Sequence, residues 1–149
     1  RQMCIRDRIN MKASLELLVK KAREVIENSY SPYSKFKVGA AIQLKNGQII
    51  VGTNIENASY GLTNCAERSA LFATYSLGYR QEDILAMCIA TKEEKMVSPC
   101  GACRQVMADL LLPQTPIYIV YGKDESLQIF QTTIKELLPY SFGKEDLHV

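Results

Sequence analysis

CAERSALFATYSLGYRQEDILAMCIATKEEKMVSPCGACRQVMADLLLPQTPIYIVY, residues 65–121, passes twice from a helical pattern to a strand pattern. Residues 65–77 read as a helix closed by Gly78, the residue type favoured just past a helix C-terminus. Residues 84–91 form a short, nearly continuous apolar run, as expected of a strand covered on both faces. A second helix over residues 100–112 is stopped by Pro113, and residues 117–121 supply another β-rich run.

On the N-terminal side, Leu15, Leu18, Val19, Ala22, Val25 and Ile26 follow helical spacing. They predict a one-sided helix with Ser14 at its N-cap and Asn28-Ser29 at its end. Phe36, Val38, Ala40, Ile42 and Leu44 alternate with polar or small residues, which predicts a strand with one buried face. Asn46-Gly47 signals a two-residue hairpin, with residues 48–53 returning as the second strand. On the C-terminal side, residues 127–130 read as a strand and residues 133–138 as a short helix. The order α-β-β-α-β-α-β-β-α predicts an α/β fold: a three-layer α/β/α sandwich around one mixed five-stranded sheet.

The 149 residues are 47% hydrophobic and 23% charged, which suits one globular domain and excludes a disordered chain. No apolar run reaches the roughly 18 residues that a membrane-spanning helix needs. Residues 1–10, RQMCIRDRIN, have neither a capping signal nor periodicity and no export-signal pattern, and Met11 follows them as a natural start. They are expected to be a non-native extension, with residues 11–149 forming the single domain. Their three arginines and one aspartate account for the whole net charge of +2, so the rest of the chain balances. A neutral body carries no electrostatic footprint for a polyanion, and no nucleic-acid partner is expected.

A single histidine, His148, sits at the tail, so a Ser-His-Asp triad and an HExxH zinc helix both lack their parts. Five cysteines (Cys4, Cys65, Cys88, Cys100 and Cys103) without an export signal read as a reducing, cytoplasmic setting. There, clustered thiols bind metal or do chemistry. Cys100 and Cys103 stand three apart at a helix start and share one face, each able to place sulfur roughly 2.3 Å from a zinc ion. A helix N-terminus favours the thiolate form that zinc requires.

Cys65, at the start of another helix, is the natural third ligand and leaves a fourth position open for water, as in catalytic sites. With no histidine near, Glu67 is the group to move protons. Residues i and i+2 inside a helix diverge, so Cys65 must sit at the cap for Glu67 to converge with it. Arg68 is placed to bond a ligand sulfur and offset the charge of three thiolates. Blander readings stand beside these: a CxxC redox pair, a four-cysteine structural site including Cys88, and Glu67 as a solvated helix carboxylate. The apolar surroundings of Cys88 favour a buried core thiol.

CAE at residues 65–67 and PCGAC at residues 99–103 resemble the signature of the zinc deaminases. More specifically, four segments resemble the small cytidine deaminases of nucleoside salvage, in that family's order. They are SPYSKFKVGAA (31–41), NIENASYGLTNCAERSALF (54–72), SPCGACRQV (98–106) and ELLPYSF (136–142). The resemblance implies one Zn²⁺ per chain on Cys65, Cys100 and Cys103. It implies that a metal-activated water attacks C4 of cytosine while Glu67 carries its proton to N3, ammonia then leaving.

It further implies ribose contacts at Asn54 and Glu56, base contacts at Phe36 and Ala66, and a homotetramer in which Phe142 reaches a neighbouring subunit's pocket. Phe36 also reads as an inward strand residue and Phe142 as a core anchor, and Tyr140-Ser141 departs from the small residues common before that phenylalanine. The expected substrate is a small nucleoside. The alternatives are a deaminase of a related aminopyrimidine compound such as a nucleoside antibiotic, a nucleic-acid-editing deaminase, and a non-catalytic zinc module.

Overall fold

The structure, a computed structural model, describes residues 4–149. Helix α1 (Ile5–Val25) runs into a 3-10 turn at Ile26–Asn28. A hairpin follows, β1 (Gly39–Leu44) and β2 (Ile49–Thr53), then α2 (Ala66–Ser76), β3 (Ile84–Ala90), α3 (Gly101–Leu110), β4 (Ile117–Tyr121), β5 (Gln128–Thr132) and α4 (Ile134–Leu137). The five strands make one sheet in the order β2-β1-β3-β4-β5. Only β3 and β4 run parallel, and α3 lies in the crossover between them. Helices cover both faces, which gives the α/β/α sandwich expected from the element order.

Each strand of the hairpin and crossover sorts its side chains between two cores. Leu18, Val19, Ala22 and Ile26 of α1 pack against Ala41, Ala86, Cys88, Ala90 and Val120. The opposite face joins Ala66, Ala70, Leu71, Cys103 and Met107 from α2 and α3 to Ala40, Ile42, Met87, Ile89, Ile117 and Ile119. Burying such apolar surface drives the assembly of the layers. Cys88 therefore faces α1, on the other side of the sheet from Cys103.

Four local readings are corrected. Ser14 is no N-cap: α1 starts at Ile5 with Cys4 in the N-cap position, and Ser14 accepts a hydrogen bond from Gln43 Nε2 at 3.3 Å. Residues 5–13 are exposed, so the backbone ladder carries the helix there and leaves no apolar stripe to read. Residues 1–3 of the segment 1–10 lie outside the described residues. β1 is buried on both faces, because Ala41 is small enough to admit α1 on its side of the sheet. Residues 45–48 join β1 to β2, and three of them lie inside the closing bond from Leu44 N–H to Gln48 O, with Gly47 at φ +93° and its N–H bonded to Leu44 O, the alternative geometry that an Asn-Gly pair supports. The last strand is displaced to Gln128–Thr132, where four of five residues are exposed and the apolar signal fades.

Two glycines let the helices come close. A Cβ on Gly39 would meet Ala22 O at 2.2 Å, and one on Gly52 would meet Ala70 N at 2.5 Å. The contact at Gly52 seats α2, whose first turn carries Glu67. Gly52→Ala is expected to lower stability by about 1–3 kcal/mol through overpacking, read as a fall in the urea midpoint with little change in slope.

Candidate active site

Two helix starts build the site. Cys65 is the N-cap of α2 (φ −80°, ψ 158°) and Cys100 the N-cap of α3 (φ −65°, ψ 165°), both in extended backbone just outside the helix. That cap geometry frees Cys65 from helical register, so its sulfur and Glu67 both approach Cys103. Cys103 lies in the first turn of α3, on the same helix face as Cys100.

The sulfurs of Cys65, Cys100 and Cys103 lie within 4.8 Å of one another, with 3.9 Å between Cys65 and Cys100. Tetrahedral zinc at roughly 2.3 Å from each sulfur sets them about 3.8 Å apart, so the donor set fits the ion. Among the described residues, the group holds these three and no fourth ligand. Cys88 is buried across the sheet, where burial pushes its thiol up to about 12, as befits a core thiol. His148 is exposed on the C-terminal tail.

Charge around the Cys65 sulfur favours its thiolate form. The Cys65 thiol is lowered to about 5, first by the hydrogen bond from Cys103 and then, after the opposing effect of burial, by Arg68. Arg68 Nη2 donates to Cys65 Sγ at 3.2 Å, while its buried Nε has no partner. Cys103 moves the other way, because it shares its proton with the Cys65 sulfur and is buried beside Glu67. Glu67 is only 6% exposed and accepts from Cys103 Sγ at 3.4 Å. Burial raises its carboxyl above the usual range, and the neighbouring Cys65 charge adds to this. A carboxyl so placed is suited to holding and passing a proton.

The cluster opens on a cleft of about 300 Å³ that Phe36, Asn54, Glu56, Ala66 and Glu67 all line. Phe36 lies in the loop ahead of β1 rather than in the strand, and it faces both the cleft and the core edge. Asn54 is buried, and its amide is largely committed: Oδ1 accepts from Val38 N–H and the Ser29 hydroxyl, and Nδ2 donates to Phe36 O at 2.7 Å. One Nδ2 proton remains for a ligand. Glu56 accepts from the N–H groups of Tyr33 (2.9 Å) and Ser34 (3.1 Å) and from the Ser34 hydroxyl. The Ser34 hydroxyl is the main reason that its carboxyl stays below the usual range. Phe142 stands apart at 57% exposed, bordering a separate groove with Phe72 and Leu147. It does not line the cleft of its own chain.

Sequence reasoning missed Ser29, Ser34 and Arg104. The first two hold Asn54 and Glu56, and the third binds Pro99 O, the Ser98 hydroxyl and Leu137 O. Ser34 and Arg104 fall within the segments that carry the resemblance, but no spacing rule gives any of the three a role, since each acts through a bond to a neighbour's polar atom that only the fold sets.

Cysteine donors from two helix starts, set around one buried carboxyl, define the zinc-dependent deaminases of aminated bases. A family model described as the cytidine and deoxycytidylate deaminase zinc-binding region matches residues 12–119, and the chain belongs to that family. It is 48% identical over 133 residues to the cytidine deaminase of Halalkalibacterium halodurans, an alignment covering 89% of this chain and 97% of that protein. It is 34% identical over 133 residues to the blasticidin-S deaminase of Bacillus cereus, covering 85% of this chain and 91% of that protein. The crystal structure of cytidine deaminase from Burkholderia pseudomallei superposes with a TM-score of 0.80 at 40% identity, over 85% of this chain and 98% of that one.

Proposed function

We propose that this chain hydrolyses cytidine and deoxycytidine to uridine and deoxyuridine, releasing ammonia, with one zinc ion held by Cys65, Cys100 and Cys103. The observation that carries the reading is the three-sulfur cluster beside a buried carboxyl at the floor of a nucleoside-sized cleft. When bound, zinc supplies Lewis-acid activation of water. Glu67 takes up a proton, delivers it to N3 of the base and holds the next one for the departing amine. Its burial excludes bulk water from that exchange. Arg68 and the two helix N-termini offset the charge of the thiolates.

Phe36 packs against the base, and Ala66 meets it through its backbone. Asn54 contributes its remaining N–H, and Glu56 its acceptor lone pairs, to the sugar hydroxyls. Exposed Phe142, set on an apolar groove, supports a homotetramer in which it enters a neighbour's pocket. The catalytic domain comprises residues 11–149, although residues 5–10 form the exposed first turns of α1 and run without a break into Met11. No helix among the described residues is long and apolar enough to cross a membrane, and a cytoplasmic setting suits the five free thiols.

Similarity to a blasticidin-S deaminase favours a second reading, a nucleoside antibiotic as substrate. The Asn54 and Glu56 pair favours a plain sugar. Zinc-loaded protein incubated separately with cytidine, deoxycytidine and blasticidin S is expected to form uridine, deoxyuridine and ammonia from the first two, and to stop when a chelator removes the metal. Turnover of blasticidin S alone would move the assignment to the second reading, and no turnover of any would overturn both.

A further inference from the structure

We infer that Arg104 is a positioning residue that holds Cys100 in place as a metal ligand by clamping the loop ahead of it to the end of α4. The inference rests on the zinc-deaminase reading given above. Three ligands do not share equal support. Cys103 is buried within α3 and Cys65 is half-buried, but Cys100 is exposed and ends a ten-residue stretch, residues 91–100, without helix or strand. Something must fix that stretch if its last residue is to keep a sulfur within 4 Å of the Cys65 sulfur.

Arg104 grips it from both sides. Its backbone N–H donates to Cys100 O at 3.0 Å, the first hydrogen bond of the helix. Its side chain turns back past that bond: Nε donates to Pro99 O at 2.8 Å and Nη2 to the Ser98 hydroxyl at 2.6 Å. Cys100 is therefore bracketed by its own carbonyl and that of the residue before it, both held by Arg104. The remaining arm anchors the clamp, with Nη1 donating to Leu137 O at 2.7 Å. Leu137 ends α4, and a terminal helix carbonyl has no partner within its helix. One planar guanidinium thus serves three acceptors on two chain segments, in a fork that an ammonium group cannot reproduce.

The next residue repeats the link, since Gln105 Nε2 donates to Phe142 O at 3.0 Å. The helix that carries two ligands also ties down the C-terminal segment, so disturbance there reaches the Cys100 loop through Arg104.

Groups that orient metal ligands typically account for 10–100-fold in metal affinity. The test follows zinc transfer from loaded protein to excess chromogenic chelator. Arg104→Ala is expected to release zinc about 10–100-fold faster than the parent, Arg104→Lys to fall between them, and Ser98→Ala, which removes one of three bonds, to show a smaller acceleration. Millimolar guanidinium, far below denaturing levels, should slow release from Arg104→Ala without affecting the parent. General destabilisation would not produce that rescue. Release within twofold of the parent for both Arg104 variants, or loss of fold in Arg104→Ala with a parent-like rate in both Arg104→Lys and Ser98→Ala, would overturn the inference. A parent protein that binds no zinc would instead overturn the functional reading itself.

Discussion

Glu67→Gln is expected to keep the fold and one zinc per chain while kcat on cytidine falls by about 10²–10⁴-fold, the usual contribution of a positioned proton-transfer group. The amide has almost the same shape as the carboxyl, so the packing of a side chain only 6% exposed is preserved. It can neither take up nor return a proton at the working pH. Stability should not fall, since a buried ionisable group is exchanged for a neutral one. Zinc content by mass spectrometry, the thermal midpoint and steady-state kinetics together check the result. A kcat within tenfold of the parent would show that Glu67 is a bystander. Loss of zinc would show that it is needed to hold the metal. A zinc module that merely binds a partner would be indifferent to the change.

Cys103→Ala is expected to lose both metal and turnover. Structural zinc binding is worth about 10–16 kcal/mol across four ligands, so removing one thiolate should weaken it by at least about 100-fold. Cys103 is also the sulfur that contacts both Cys65 and Glu67, so its loss disturbs the proton donor and the ligand set together. Cys88→Ala is the matched control. It deletes an equally buried thiol on the α1 side of the sheet and should cost modest stability while leaving zinc and kcat in place. Metal titration with a competing chelator separates the two variants. Parent-like zinc affinity in Cys103→Ala would remove the basis for the three-sulfur site.

The parts of the fold legible in the sequence were those where a local rule and the global packing agree. Gly78 closes α2 in left-handed backbone, Pro113 follows α3, and Cys65 takes the cap position that convergence with Glu67 requires. The misread elements are those in which burial and pattern part company. At β1 the small Ala41 and the buried Gln43 sit where a one-sided strand would show solvent-facing residues. At β5 a paired strand keeps four exposed residues and loses its alternation. At α1 a serine that looks like a cap is used by Gln43 across the interface.

The reacting core of the site was readable because cysteine and glutamate chemistry is specific to residue type and spacing. Its supports were not, because Ser29 and Ser34 bond residues more than twenty positions away and Arg104 joins its own segment to Leu137 through a folded-back side chain. The sequence also could not show that Asn54 spends most of its amide on Val38, Phe36 and Ser29.

β1 is enclosed on every side, with β2 and β3 at its two edges and α1 and α2 over its two faces. Its amide protons can meet deuterium only when the molecule opens as a whole, so their exchange rate reports global stability. β5, at the margin of the sheet and largely exposed, opens by local fraying. The sheet therefore carries a gradient of solvent protection from its centre to this edge, and the buried face of β1 that supports Glu67 lies at the slow end.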